Sequence, residues 1–148
     1  MWLKNTDVAC LHCGTTFRFR PCTIGVSIYH NVIRTRGTFC SFFCAKAYVV
    51  SEGLLTDSVL MFATTKIFKD FISNPDKHDD PRHIQYISGF EHFAQIPKAP
   101  DRHEYRRYGG IYEDDDVWKF IQEKQKVVKA THVKESIFLK RLGVSNYT

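Results

Sequence analysis

Two closely spaced pairs of cysteines in the first third of the chain limit what this sequence can fold into. Cys10 and Cys13 form a C-x-x-C-G sequence with Gly14, and three residues separate Cys40 from Cys44. A tight turn brings the first two sulfurs to one side, and four thiolates fill a tetrahedral metal site with no open position. The spacing predicts one structural Zn²⁺ ion, bound by Cys10, Cys13, Cys40 and Cys44. The alternative is a set of buried cysteines that bind no metal.

The fifth cysteine, Cys22, stands apart from both pairs and is expected to pack in the core. An odd number of cysteines argues against a disulfide framework. His12 and His30 are alternative ligands that four cysteines make unnecessary. The chain has no apolar run long enough to span a membrane, and its first residues do not resemble a signal peptide, so an intracellular protein is expected.

Basic residues are concentrated in the same third of the chain. Residues 1–50 contain six Lys or Arg against one acid, whereas the other 98 residues contain 15 of each sign. Such an asymmetry favours an anionic partner, most commonly nucleic acid, over a merely basic surface. No phosphate-binding loop, nucleophile elbow or His-x-x-x-His motif is present, so neither an enzyme nor a small-molecule substrate is expected.

The hydrophobic pattern changes from strand to helix near Gly53. It predicts a short strand over 16–20, an extended segment over 26–36 and a helix over 42–52 capped by Ser41. We therefore expect an α+β fold, with a zinc finger of four cysteine ligands, two or three short strands and one helix over 1–53 and a helical region over 54–148 packed on it.

A helical stripe begins the second region, with Leu60, Ala63, Ile67 and Phe71 on one face and Val59, Phe62 and Phe68 beside them. A proline-rich connector over 74–101 is expected to be irregular, with one ordered piece near 84–93 and a solvated run over 77–83. The acidic run 113–116 is expected to cap a helix that contains Trp118, in preference to binding a metal. A last helical turn is expected over 137–142.

Arginines alternate with phenylalanines over 17–20, which would place Arg18 and Arg20 on one face of a strand. Arg34 and Arg36 repeat this spacing. If the two segments pair, the four arginines, together with Lys46, form a basic surface for phosphate or for an acidic protein. Arg102, Arg106 and Arg107 form a second basic group, expected to be a surface or interaction patch.

The cysteine pairs and the helix start Phe-Cys-Ser-x-x-Cys over 39–44 resemble treble-clef-like fingers of the MYM and TRASH type. More narrowly, 10–13, 19–24 and 39–48 resemble the viral late transcription factor two family of poxviruses and other nucleocytoplasmic large DNA viruses. The sequences Ala-Pro-Asp-Arg at 99–102 and Tyr-Gly-Gly at 108–110 are similar to an element that members outside the poxviruses carry downstream of the finger.

The resemblance implies a zinc-finger factor for late viral genes, acting with the viral RNA polymerase, other late factors, DNA or a combination of these, in the cytoplasm, virus factory or nucleus of the infected cell. The four paired cysteines match the family's metal positions, whereas Cys22 stands where a hydrophobic residue is usual. A capsid-associated virion protein remains the main alternative. A metal sensor or chaperone with an exchangeable ion is the third.

Overall fold

The computed structural model describes residues 8–17, 20–77 and 79–124. Within them the chain forms two small antiparallel hairpins and four helices, which confirms the predicted α+β class. The first hairpin pairs β1 (Val8–Ala9) with β2 (Thr16–Phe17), and the second pairs β3 (Cys22–Tyr29) with β4 (Val32–Phe39).

The second hairpin corrects the expectation of one extended segment over 26–36. His30 and Asn31 both have positive φ, 49° and 64°, and form a two-residue turn between β3 and β4. Two left-handed residues match the twist of a hairpin, and Asn tolerates that conformation better than most residues. The sequence lacks the glycine that usually indicates such a turn, and this is why the turn was missed.

Capping side chains define the helix starts. Ser41 accepts a hydrogen bond from the backbone of Cys44 at the start of α1, and Asp57 and Asp80 cap the next two helices. The helices are α1 (Phe42–Ser51), α2 (Ser58–Ser73), α3 (Pro81–Ile87) and α4 (116–124), and short 3-10 turns cover Phe93–Gln95, Arg102–Glu104 and Arg106–Tyr108. No helix in the described ranges is long and apolar enough to cross a membrane.

Helix α2 packs directly on β3, so the second region shares a core with the first. Gly25 permits this contact, because a Cβ atom there would lie 2.7 Å from the Cβ of Ala63. The backbone N–H of Gly25 also donates to the Thr64 hydroxyl at 3.0 Å. The core continues through edge-to-face contacts of Phe42 with three other rings, those of Phe68, Phe71 and Phe93.

The predicted stripe of α2 is correct in its centre and wrong at one margin. Leu60, Ala63 and Phe71 are buried as expected. Val59 and Phe62, however, are 53% and 59% exposed. Phe68 is buried as expected, and Thr64 and Thr65, which the stripe did not include, are buried with it. Thr64 forms hydrogen bonds with the backbone of Gly25 in β3.

The segment 77–83 is not the solvated loop that its composition suggests. Asp79 and His83 are 8% and 3% exposed. His83 Nε2 accepts a hydrogen bond from the backbone N–H of Phe42, at 3.1 Å, and its ring stacks on the Phe42 ring. Burial lowers the pKa of His83 to about 3, so this imidazole is neutral and serves as an acceptor at the start of α1.

Candidate metal centre

The structure brings the two cysteine pairs into one cluster. The sulfurs of Cys10, Cys13, Cys40 and Cys44 all lie within 4.8 Å of one another. The distance from Cys40 Sγ is 3.7 Å to Cys13 Sγ and 3.6 Å to Cys44 Sγ. Cys40 is partly exposed, and the other three are at most 3% exposed. This is a donor set that can hold one metal ion.

Cys10 and Cys13 are positioned by the turn between β1 and β2. The Gly14 N–H donates to the Cys10 carbonyl at 2.9 Å, and the Cys10 N–H donates to the Thr15 carbonyl at 2.8 Å. Gly14 has φ of +78°, a conformation that a residue without a Cβ atom adopts at little cost. The predicted role of this glycine in the knuckle is therefore consistent with its geometry.

The other pair lies where β4 ends and α1 begins. Cys40 directly follows β4, and Cys44 is in the first turn of α1, where its N–H is bonded to the Ser41 hydroxyl at 3.2 Å. A helix N-terminus stabilises a thiolate through its unpaired N–H groups and dipole. The Leu11 N–H, which donates to the Thr38 carbonyl at 2.8 Å, ties the knuckle to the end of β4.

Three thiols of the cluster have shifted pKa values. Hydrogen bonds from the other cysteines, first of all Cys13, hold the pKa of Cys10 far below its usual range. The hydrogen bond to Cys10 is the largest cause that raises the pKa of both Cys40 and Cys44, and burial raises them further. The raised pKa values of Cys40 and Cys44 keep these two thiols protonated, and a cation bound among the four sulfurs would favour their thiolate forms.

A segment 90 residues downstream holds the backbone of the knuckle. The Arg102 guanidinium donates to the carbonyls of His12, at 2.9 Å, and Leu11, at 2.7 Å. The His12 ring in turn donates from Nε2 to the Pro100 carbonyl at 2.8 Å. His12 is 2% exposed, and burial lowers its pKa. This histidine supports the knuckle from outside the sulfur cluster.

Arg107 makes a second link to the same turn. Its guanidinium donates to the Cys13 carbonyl at 2.9 Å and forms an ion pair with Asp114 at 2.6 Å. Asp114 also accepts a hydrogen bond from the Thr15 hydroxyl at 3.1 Å. We call Pro100, Arg102 and Arg107 the downstream clasp. The expectation of a surface or interaction patch missed this clasp, for which the Ala-Pro-x-Arg sequence was a signal at Pro100 and Arg102.

The Tyr-Gly-Gly element at 108–110 packs against the backbone of Glu104 and Tyr105. The Gly110 N–H donates to the Tyr105 carbonyl at 2.9 Å, and a Cβ atom on Gly110 would overlap the backbone of Glu104. Tyr105 is 1% exposed, and its hydroxyl oxygen lies 3.9 Å from Cys44 Sγ. Burial raises the pKa of this phenol, which stays protonated beside the sulfur cluster.

The predicted basic surface is only partly present. Arg34 and Arg36 are exposed on β4, whereas Arg18 lies outside the described residues. Strand β2 pairs with β1 and not with β4, so the two arginine segments do not form one face. Arg20 is 9% exposed, and the Lys46 ammonium donates to two backbone carbonyls, at 2.7 Å and 2.5 Å. Assigning Arg20 and Lys46 to this surface was wrong.

Arg20 belongs instead to a buried ion pair. Its guanidinium lies 2.9 Å from Asp79 Oδ2 and donates to the carbonyl of Asn74 at 3.0 Å. It also lies 3.8 Å from the centre of the Phe71 ring. The side chains of Arg20 and Asp79 are 8% and 2% exposed. Sequence reasoning missed this pair because its members are 59 residues apart.

Cys22 and the acidic run lie outside the sulfur cluster. Cys22 is fully buried at the start of β3, and burial raises the pKa of its thiol, as expected for a packing residue. In the acidic run, Asp116 accepts a hydrogen bond from the Glu113 N–H at 2.9 Å, and Glu113 forms an ion pair with Arg106 at 2.6 Å. Glu113 and Asp116 thus serve local structure at the start of α4, whereas Asp114 contacts Arg107 and Thr15.

Fold and site together define a class: a small α+β protein in which a four-cysteine cluster, compatible with a treble-clef-like zinc finger, joins two hairpins and a helix. Comparison of the chain with protein-family models, characterised proteins and solved structures gave no match.

Proposed function

We propose that the cluster binds one Zn²⁺ ion with a structural role. A tetrahedral site with Zn–S bonds of about 2.3 Å places neighbouring sulfurs about 3.8 Å apart. The separations of 3.6 Å and 3.7 Å around Cys40 are close to this value. Four thiolates leave no position for water or substrate, so the ion stabilises the fold and performs no chemistry.

Metal analysis tests this assignment. The purified protein is expected to contain one zinc per chain by inductively coupled plasma mass spectrometry. Cys44→Ser is expected to lose the metal, whereas the matched variant Cys22→Ser is expected to retain it. Iron in place of zinc, or equal metal loss in both variants, would contradict the proposal. Rapid exchange with a weak chelator would favour the metal-sensor alternative.

For the whole chain we propose a late-gene transcription factor of a large DNA virus that acts with the viral RNA polymerase. The observation that supports this most is a meeting of two distant sequence elements. The finger element over 39–48 contributes Cys40 and Cys44 to the cluster, and the downstream element supplies the clasp residues Pro100 and Arg102. The parts of the sequence that carry the family resemblance thus form one structural unit.

The charge of the finger supports an anionic partner. From residue 8 to residue 51 the sequence contains no Asp or Glu. Arg34 and Arg36 are exposed within this stretch. Such a surface suits DNA or an acidic face of the polymerase. We propose that the protein acts in the infected cell, in the virus factory or nucleus, by binding such a partner.

Repression of the gene during infection tests the proposed function. Viral DNA replication and early transcripts are expected to be unchanged, and transcripts of late genes such as that of the major capsid protein are expected to fall. Affinity purification of the tagged protein is expected to recover polymerase subunits. Normal late transcripts in the repressed infection would overturn the proposal.

A capsid-associated role is the second candidate, and exposed apolar side chains favour it. Val59 and Phe62 lie one turn apart on α2 and are more than half exposed, and Ile111 is 82% exposed. Such residues suit contacts between proteins. This role predicts normal late transcripts, defective particles and a fixed copy number relative to the major capsid protein, measured by quantitative mass spectrometry of purified particles.

A further inference from the structure

The second hairpin presents an exposed face near its tip. Val32, Arg34 and Arg36 occupy alternate positions of β4 and are all exposed, as is Thr35 between the two arginines. On β3, Tyr29 pairs with Val32 and Ser27 pairs with Arg34, whereas Arg36 pairs with the buried Ile24 beyond a register irregularity between Gly25 and Ser27. Tyr29 and Ser27 therefore share a face with Val32 and Arg34, and Arg36 is exposed farther along β4. We call Ser27, Tyr29, Val32, Arg34 and Arg36 the hairpin face.

The two arginines of the hairpin face have no carboxylate partner within the described residues, unlike three other arginines that the structure describes. Arg82, Arg106 and Arg107 each form an ion pair with a carboxylate. Arg34 and Arg36 form no ion pair or side-chain hydrogen bond within the described ranges, and Arg36 only lies 5.8 Å from the centre of the Tyr48 ring. Their charge is therefore available to an anionic ligand.

An exposed aromatic ring stands beside these charges. Tyr29 is 75% exposed although it is a large apolar side chain. His30 meets its ring edge-to-face, with ring centroids 4.1 Å apart, in the turn with Asn31. Aromatic rings presented next to basic residues are typical of proteins that bind unpaired bases.

We propose that the hairpin face binds single-stranded nucleic acid. Arg34 and Arg36 contact two phosphates, and the Tyr29 ring stacks on a base. The exposed ring favours a single strand over a duplex, whose bases are already stacked, and over an acidic protein, which offers charge without a base to stack on. The inference rests on the proposed function for its setting, since a transcribing polymerase exposes single strands.

Fluorescence anisotropy tests the proposal with the full-length, zinc-loaded protein and a labelled oligothymidylate of about 20 nucleotides. Each phosphate contact lowers the slope of log K against log salt by about 0.7. Arg34→Gln with Arg36→Gln is therefore expected to flatten the slope by about 1.4. The matched control is Lys98→Gln with Arg106→Gln, which removes the same charge from exposed residues elsewhere and is expected to leave the slope unchanged.

Tyr29→Ala separates stacking from charge. It is expected to weaken binding by about fivefold or more at an unchanged salt slope, because stacking on one base contributes at least that much. Tyr29→Phe is expected to bind as the unchanged protein does. Circular dichroism and zinc content verify that each variant is folded.

Several results would overturn the inference: equal effects of the two double variants, no effect of Tyr29→Ala, tighter binding of a duplex of the same length, or preferential binding of labelled polyglutamate. The measurement uses purified protein without polymerase. Its failure is therefore distinguishable from failure of the proposed function, which is measured by late transcripts in infected cells.

Discussion

Replacing Arg20 by methionine is expected to destabilise the whole fold, although the sequence places this residue in a basic strand. The guanidinium contacts Asp79 Oδ2 at 2.9 Å and the carbonyls of Asn74 and Phe71 at 3.0 Å and 3.3 Å. Methionine fills much of the same space but carries no charge. Asp79, whose side chain is 2% exposed, would then be a buried carboxylate without its cation.

The expected loss is large because the two charges are shielded from water. Removal of one partner of a buried ion pair costs about 3–5 kcal/mol, whereas exposed substitutions usually change stability by less than about 0.5 kcal/mol. Arg34→Met removes the same charge from an exposed position and is the matched control. The double variant Arg20→Met with Asp79→Asn is expected to recover about half of the loss or more, because no unpaired charge is then buried.

Equilibrium unfolding in urea at constant zinc concentration, followed by tryptophan fluorescence, measures these differences. A loss of about 3 kcal/mol shifts the midpoint by about 1 M or more. The reasoning is refuted if Arg20→Met lowers the midpoint no more than Arg34→Met does. It is also refuted if the double variant is less stable than Arg20→Met, because the two residues would then be uncoupled.

Three further predictions concern the helix start, the glycine turn and the clasp. The pKa of His83 is about 3 in the fold and 6.5 in the unfolded chain, so between these pH values the unfolded chain binds more protons. The free energy of unfolding is therefore highest above pH 6.5 and falls by about 2 kcal/mol by about pH 5, and urea titrations across pH are expected to show that His83→Gln lacks this fall. Gly110→Ala is expected to cost about 2 kcal/mol or more because of backbone overlap, whereas Gly89→Ala, with open space around it, is expected to be neutral in thermal unfolding. Arg102→Gln is expected to speed zinc transfer to a chromogenic chelator by roughly tenfold, from two lost charge-assisted bonds, and equal rates in the control Arg106→Gln would contradict a role for the clasp.

Parts of the site that depend on neighbouring residues were predictable from the sequence. The spacing of Cys10 and Cys13, the glycine after them and the cap Ser41 are local features, and the structure has each in the expected arrangement. The turn at His30 and Asn31 was not predictable with the same rules, because either residue is common in other conformations.

The sequence by itself determined the four-cysteine cluster, the α+β class and the beginning of α1, since the spacing of ligands and the chemistry of caps act within a few residues. Only the tertiary structure decided which charges are buried. Arg20 meets Asp79 from 59 residues away, and Arg102 meets the knuckle from 90 residues away. An arginine in an alternating strand has the same local pattern whether it faces solvent or a buried carboxylate, and the packing of distant segments alone distinguishes the two.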